Sequence, residues 1–199
     1  MLSENFKNRV ELLEYIDKKF PNGIGVEIGV AAGHFTKQIV DSWKTCQKLF
    51  AIDFWENQSE GYNDPCNLSN EVQIKRYHQV LRDFKNHKHV SFLKMWSNVA
   101  VNKFYDNHID FIYLDANHSY QGCLNDLNIW YPKIKKGGIF AGHDYAAGPD
   151  ESYNVKRAVD EFTASKGIKL FHTSDDNSPE RAVYGSGWEG YSFYFEKQE

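Results

Sequence analysis

The sequence predicts an α/β protein: one doubly wound, mostly parallel seven-stranded sheet with helices on both faces. Three observations predict it. Short apolar runs alternate with amphipathic stretches, with no internal repeat, low-complexity tract or Pro/Ser linker. A glycine-bearing turn joins the first apolar run to the amphipathic stretch after it. Polar residues able to do chemistry stand just past several of the runs, at the carboxyl ends of strands, where such sheets keep their ligands.

The elements follow in order. Phe6, Val10, Leu13, Ile16 and Phe20 recur at steps of three and four, which predicts a helix over 4–20, stopped by Pro21-Asn22-Gly23. Residues 23–29 read as the first strand and 34–43 as its helix. Leu49–Asp53 is the second strand, and 54–69, rich in Asn, Ser, Gly and Pro, is a long loop. Tyr77, Val80, Leu81 and Phe84 mark a helix, and Val90–Met95 a third strand. Ser97 is placed to cap a short helix over 98–106. Ile109–Asp115 is a fourth strand, apolar enough to be central. Tyr120, Leu124, Leu127 and Tyr131 give the next helix, ended near Pro132. Gly137-Gly138 turns the chain into a fifth strand, 139–142. Val155, Ala158, Val159 and Phe162 give one more helix, and 168–172 and 190–196 a last pair of strands. Repeated βα units imply right-handed crossovers and the strand order 3-2-1-4-5, with ligands at the switch between strands 1 and 4.

Composition narrows the class. The chain has 199 residues, 41% hydrophobic and 25% charged, which suits a single globular domain, 1–199, with the N-terminal helix as an accessory. No apolar run approaches the roughly 20 residues of a membrane span, and the N-terminus has no apolar signal-peptide core. A net charge of −4 argues against nucleic acid as a partner. Cys46, Cys66 and Cys123 are odd in number and lack CxxC spacing, so a reducing cytoplasm is the expected compartment.

Four constellations carry chemistry. Glu27-Ile-Gly29-Val-Ala-Ala-Gly33 lies between the first strand and its helix. Gly29 permits a tight turn, and Gly33 is expected to let a ligand approach a helix N-terminus. The E-x-G-x-x-x-G spacing is not the GxGxxG dinucleotide fingerprint, which argues against a dehydrogenase. Asp53 ends the second strand, 20 residues past Gly33, where an acid can bind both ribose hydroxyls of an adenosine. Asp115-Ala-Asn-His118 leaves the fourth strand with an acid and an imidazole suited to metal binding or proton transfer. Gly142-His143-Asp144-Tyr145 leaves the fifth strand beside it. Together these offer two carboxylates and an imidazole, a divalent-metal set that requires the strand to have ended at His143.

These residues resemble the class I S-adenosylmethionine-dependent methyltransferases, Rossmann-like enzymes, over about residues 20–172. VEIGVAAGHFT resembles their first motif, AIDFW the acidic end of their second strand, and KKGGIFAGHDY their fifth-strand signature. LDANHSYQGCLNDLNIWYPKIKKGGIFAGHDY is similar to the macrocin- and mycinamicin-type sugar O-methyltransferases and the cephalosporin hydroxylase-like group. The resemblance implies that Gly29 and Gly33 shape the loop around the methionine part of S-adenosylmethionine and that Glu27 holds its ammonium. It implies that Asp53 takes the ribose hydroxyls and that Ser97 lies near the adenine. Asp115 and Asp144, with His143 where many relatives have a carboxylate, are implied metal ligands, and His118 the implied general base. Histidine at 143 favours manganese, iron, nickel or zinc over magnesium.

The function expected is metal-assisted O-methylation of a small hydroxylated substrate, such as a sugar or glycosylated natural product. The alternatives are a metal-independent O- or N-methyltransferase relying on His118, and a non-catalytic cofactor-binding protein. Segments 54–70, 145–154 and 173–189 are expected to touch the acceptor, with Trp55, Tyr62, Tyr145 and Tyr153 as stacking surfaces. A homo-oligomer is expected from the apolar stripe of the N-terminal helix.

Overall fold

The computed structural model describes residues 2, 5–58, 62, 64, 66–146, 152–174 and 191–198. Seven strands form one sheet: β1 Ile24–Ile28, β2 Lys48–Asp53, β3 Val90–Lys94, β4 Ile109–Leu114, β5 Ile134–Gly142, β6 Phe171–His172 and β7 Phe193–Glu196. Their order is β3-β2-β1-β4-β5-β7-β6. Strands β1 to β5 pair in parallel, and β7 runs antiparallel to both β5 and β6. The parallel part has the order that repeated right-handed βα units require.

Helices cover both faces. α1 Arg9–Lys19, α2 His34–Ser42 and α3 Asn70–Asp83 bury Leu13, Ile39 and Val80 against one face. α4 Ser97–Ala100, α5 Tyr120–Trp130 and α6 Val155–Ser165 bury Ala100, Leu127 and Val159 against the other. β4 shows why both faces are dry: Phe111 and Tyr113 join the first core, and Ile109, Ile112 and Leu114 the second.

Asp110, partly apart from those cores, ties the inner strands together. Its Oδ2 accepts from Ile24 N at 2.8 Å, and its Oδ1 accepts from Lys135 Nζ at 2.7 Å. At the other edge, Lys197 Nζ donates to the carbonyls of Tyr131, Pro132 and Ile134 and to Asn107 Oδ1. That buried ammonium locks the end of β7 onto the start of β5.

Four expectations are corrected. The first helix starts at Arg9, because Asn8 Oδ1 accepts from Val10 N and Glu11 N and so caps it there. Phe6 is buried ahead of the cap, where its N–H donates to Tyr194 Oη, whereas Val10 is 41% exposed and Leu12 takes the core position. Ser97 is not a cap: it is the first residue of a four-residue helix followed by a 3-10 turn at Val101–Lys103. β5 begins at Ile134 and runs through Gly137-Gly138, with a register shift opposite β4 that absorbs the left-handed Gly137. The last two strands shrink to Phe171–His172 and Phe193–Glu196, and residues 175–190 between them lie outside the described residues, as do 147–151 and 59–61.

Candidate active site

A cavity of about 840 Å³ opens where β1, β2, β4 and β5 end. That is within the roughly 300–1,000 Å³ of small-molecule sites, and its position is the switch point between β1 and β4. Glu27, Gly29, Asp53, Ser97, Asp115, His118, His143 and Asp144 all line it.

The turn after β1 is held by unusual backbone. Gly29 has φ +89°, and a Cβ there would stand 1.7 Å from the carbonyl oxygen of Asp115. Gly29 therefore lets the ends of β1 and β4 touch, which no other residue permits. Gly33 also has positive φ, but its missing Cβ faces Val80 Cγ1 at 2.8 Å and Phe84 Cε2 at 3.2 Å. It is absent from the cavity wall, so the expectation that Gly33 makes room for a ligand is corrected: it makes room for α3. Ala31, Ala32 and His34 line the cavity in its place.

Glu27 is 1% exposed. Thr36 Oγ1 donates to its Oε2 at 2.6 Å, while Oε1 is buried with no hydrogen-bond partner. Burial pushes its pKa up to about 8, reinforced by Asp115 and Asp53 and opposed by Thr36 and Arg9. Glu27 thus lines the cavity as a carboxyl with one oxygen unpaired among the described residues, a group that can pair with a cation.

Asp53 is already bonded within the chain. Its Oδ2 accepts from Val30 N at 2.9 Å and Ala31 N at 2.8 Å, and its Oδ1 accepts from Trp55 N at 2.8 Å. Two N–H groups saturate Oδ2, so capacity for a ligand hydroxyl remains at Oδ1. Asp53 thus fixes the β1 turn as well as facing the cavity. Trp55, expected as a stacking surface, is instead 1% exposed and donates from Nε1 to Ala31 O.

Ser97 Oγ donates to Asp126 Oδ1 at 2.6 Å and accepts from Trp130 Nε1 at 2.7 Å. Asp126 is buried, and desolvation raises its pKa to about 6. Met95, Trp96 and Ile129 complete this end of the cavity, with Trp96 stacked on Phe54 at 3.9 Å.

At the opposite side, His118 sits among three carboxylates. Its Nδ1 lies 2.7 Å from Asp64 Oδ2, and its Nε2 lies 3.1 Å from Asp144 Oδ2 and 3.4 Å from Asp115 Oδ1. Burial alone would lower its pKa, but the hydrogen bonds to Asp115, Asp144 and Asp64 win and hold it well above the usual histidine range. Asp144 is driven well below the carboxylate range by His143 and His118 despite its burial. Asp115, His118 and Asp144 each offer a ligand atom within 4.8 Å of the others. His143 is outside that set, contrary to expectation. Strand pairing ends at Gly142 and Asp144 turns to φ +54°; His143 Nδ1 lies 3.4 Å from Asp144 Oδ1, so His143 supports that carboxylate from beside it, while Asp144 is the one of the two in the converging set. Tyr62 and Tyr153 line the cavity beside His118, whereas Tyr145 stacks on His172 and bonds Asp160.

Sequence reasoning missed Asp64, Thr36, Arg76 and Asp126. Asp64 comes from a loop without periodicity, 54 residues before the histidine it holds. Asp126 sits in an amphipathic helix as any surface acid would. Thr36 was legible in principle, as a hydroxyl on the first turn of the helix after Glu27.

The chain's similarities point one way. The profile of a family described as a methyltransferase domain matches residues 26–145. An uncharacterized protein of Acanthamoeba polyphaga mimivirus is 41% identical over 63 residues, 30% of this chain; the match spans only 28% of the viral protein. The solved O-methyltransferase NovP is 21% identical, with a TM-score of 0.62 over 96% of this chain and 80% of its own. The O-methyltransferase from Bacillus cereus, solved with SAH, is 12% identical, with a TM-score of 0.65 over 95% of this chain and 80% of its own. Similarities this low in identity establish the fold.

Proposed function

The chain belongs to the methyltransferase domain family, S-adenosylmethionine-dependent enzymes, and on that premise we propose that it performs metal-assisted O-methylation of a small hydroxylated molecule, such as a sugar or glycosylated natural product. The observation that carries the reading is the convergence of Asp115, His118 and Asp144 on a cavity that Glu27 and Asp53 also line. The O-methyltransferases among the similar structures agree with oxygen as the acceptor atom.

The cavity fits S-adenosylmethionine. The unpartnered Oε1 of Glu27 suits an ammonium, Oδ1 of Asp53 retains room for a ribose hydroxyl, and Ser97 with Asp126 suits the edge of an adenine. When bound, the cofactor supplies an electrophilic methyl group on a sulfonium. The chain's part is to align an acceptor oxygen with that methyl and remove the hydroxyl proton as the new C–O bond replaces the C–S bond.

The donors also fit a divalent cation: Asp115 and Asp144 would hold it, and it would supply Lewis acidity that lowers the acceptor's pKa. With a cation on those carboxylates, His118 would lose two of the hydrogen bonds that favour its proton. It can then accept the hydroxyl proton, while Asp64 at Nδ1 fixes its tautomer. A second reading has its own observation: the His118 imidazolium itself lies between Asp115 and Asp144 and balances them without a metal. In that state the surrounding carboxylates favour the protonated ring, which has no lone pair to act as the base.

The deciding experiment is S-adenosylhomocysteine release with a panel of sugars and glycosides after exhaustive dialysis against chelator. Activity lost on chelation and restored by magnesium or manganese supports the metal-assisted reading. Full activity in metal-free protein selects the second reading, and no turnover with any hydroxylated acceptor under either condition sinks O-methylation.

A further inference from the structure

The start of α6 staples together the two loops that carry the converging donors. Asn154, the cap of α6, donates its N–H to His118 O at 2.9 Å, and its Oδ1 accepts from Arg157 N at 3.3 Å. Lys156 N donates to Ala146 O at 3.1 Å. One short stretch is thus tied both to the loop after β4 and to the loop after β5. Tyr153 stands just before the cap and lines the cavity. Its ring centre lies 5.4 Å from that of His118, with the planes tilted by 50°. The mechanism above does not use it.

The phenol oxygen is buried, and its neighbour is Asp144. Burial first, and then the negative charge of Asp144, push the phenol's pKa above the usual tyrosine range, and a hydrogen bond to that carboxylate adds to the shift. Tyr153 therefore keeps its proton and serves as a donor. Asp144 is a residue that needs holding. It has φ +54°, a left-handed conformation that persists where the surroundings fix it. Its Oδ2 lies 3.1 Å from His118 Nε2, a contact that competes with a cation. Its Oδ1 lies 3.4 Å from His143 Nδ1, which is long for a hydrogen bond. A neutral hydroxyl brings no positive charge to compete, so its hold on Asp144 is compatible with a cation there.

We propose that Tyr153 is a positioning residue for Asp144: its hydroxyl donates to that carboxylate and keeps it aligned with Asp115 for a divalent cation. The inference rests on the cation reading proposed above and adds a residue from the start of α6, outside the motifs that leave β4 and β5. Partners of this kind orient ligating carboxylates, and losing one weakens a site without abolishing it.

The test is calorimetric titration of the substrate-free chain with manganese and, separately, with S-adenosylhomocysteine. Tyr153→Phe keeps the ring and removes the donor. It should weaken manganese binding about 10- to 100-fold and leave S-adenosylhomocysteine affinity unchanged. A second measurement needs no metal. In urea unfolding, Tyr153→Phe should cost less stability in the Asp144→Ala background than in wild type, because the hydroxyl acts through that carboxylate. Unchanged manganese affinity in Tyr153→Phe overturns the proposal. Equal loss of both ligands overturns it as well, because the residue would then shape the cavity without acting on Asp144. Additive unfolding costs overturn it too, since the hydroxyl would then act elsewhere. A wild-type chain that binds no manganese fails at the earlier step, the cation reading, and the proposal falls with it, even where the unfolding cycle shows that the two side chains interact.

Discussion

Glu27 is a carboxyl that the fold keeps neutral until a cation arrives. Its pKa of about 8 lies above the unfolded value, so the native state holds a proton that the unfolded chain gives up. Stability from this group is therefore full below pH 4.5 and is lost as pH rises through 8. Glu27→Gln should be more stable than wild type at pH 9 and little different at pH 4.5, by denaturant titration. At pH 7, binding of an ammonium should drive off close to one proton. Calorimetry of S-adenosylhomocysteine in two buffers of different ionisation enthalpy should register that release in wild type and lose it in Glu27→Gln.

His118 has the opposite surroundings and the same sign. Three carboxylates raise its pKa above the unfolded value, so its ion pairs stabilise the metal-free fold below about pH 6.5 and fade as pH rises through the raised value. A cation at Asp115 and Asp144 competes with that proton, so affinity for manganese should rise with pH, as read by titration calorimetry. His118→Ala should keep cofactor binding and lower turnover by about 10²–10⁴-fold. Asp115→Ala and Asp144→Ala should lose the cation. His143→Ala should not, because His143 lies outside the converging donors; loss of cation affinity in that variant would return it to the ligand set.

Among the elements, the turn after β1 shows how one motif divides its labour. Its two glycines serve two neighbours: Gly29 the end of β4, Gly33 the flank of α3. Gly33→Val should therefore destabilise the fold itself, by about 1–3 kcal/mol from backbone strain and overpacking. Thermal unfolding should show part of that loss recovered when Val80→Ala is added. No recovery would mean that the positive φ, and not the clash, sets the cost. Asp53 belongs to the same turn, because its carboxylate ties β2 to the N–H groups of Val30 and Ala31. A loss of cofactor affinity in Asp53→Ala thus reports the turn as well as the ribose.

For the whole molecule, the sheet order brings the ends of β1, β2, β4 and β5 to one cavity, and helices pack on both faces of that sheet. A ligand that fills the cavity binds only the folded chain. Saturation at 100 times the dissociation constant should stabilise it by about 2.7 kcal/mol. S-adenosylhomocysteine should raise the melting temperature accordingly and NAD should not. A shift with NAD alone would overturn the cofactor assignment.

Order along the chain was enough to read the βα alternation, the central place of β4, the 3-2-1-4-5 core and the clustering of Glu27, Asp53, Asp115 and Asp144 at strand ends. Those features follow from local periodicity and from the handedness of crossovers, which neighbouring residues carry themselves. Tertiary structure decided the rest. Asn8 could be seen as a cap only once the helix it caps was placed, and Ser97 lost that role to Asp126 and Trp130 from another helix. Gly33 faced α3, His143 paired with Asp144 without joining the converging donors, and Asp64 arrived from a distant loop to hold His118. Each depends on which atoms from remote segments come within a few ångströms, and on the charge they bring, and no spacing along one segment records that.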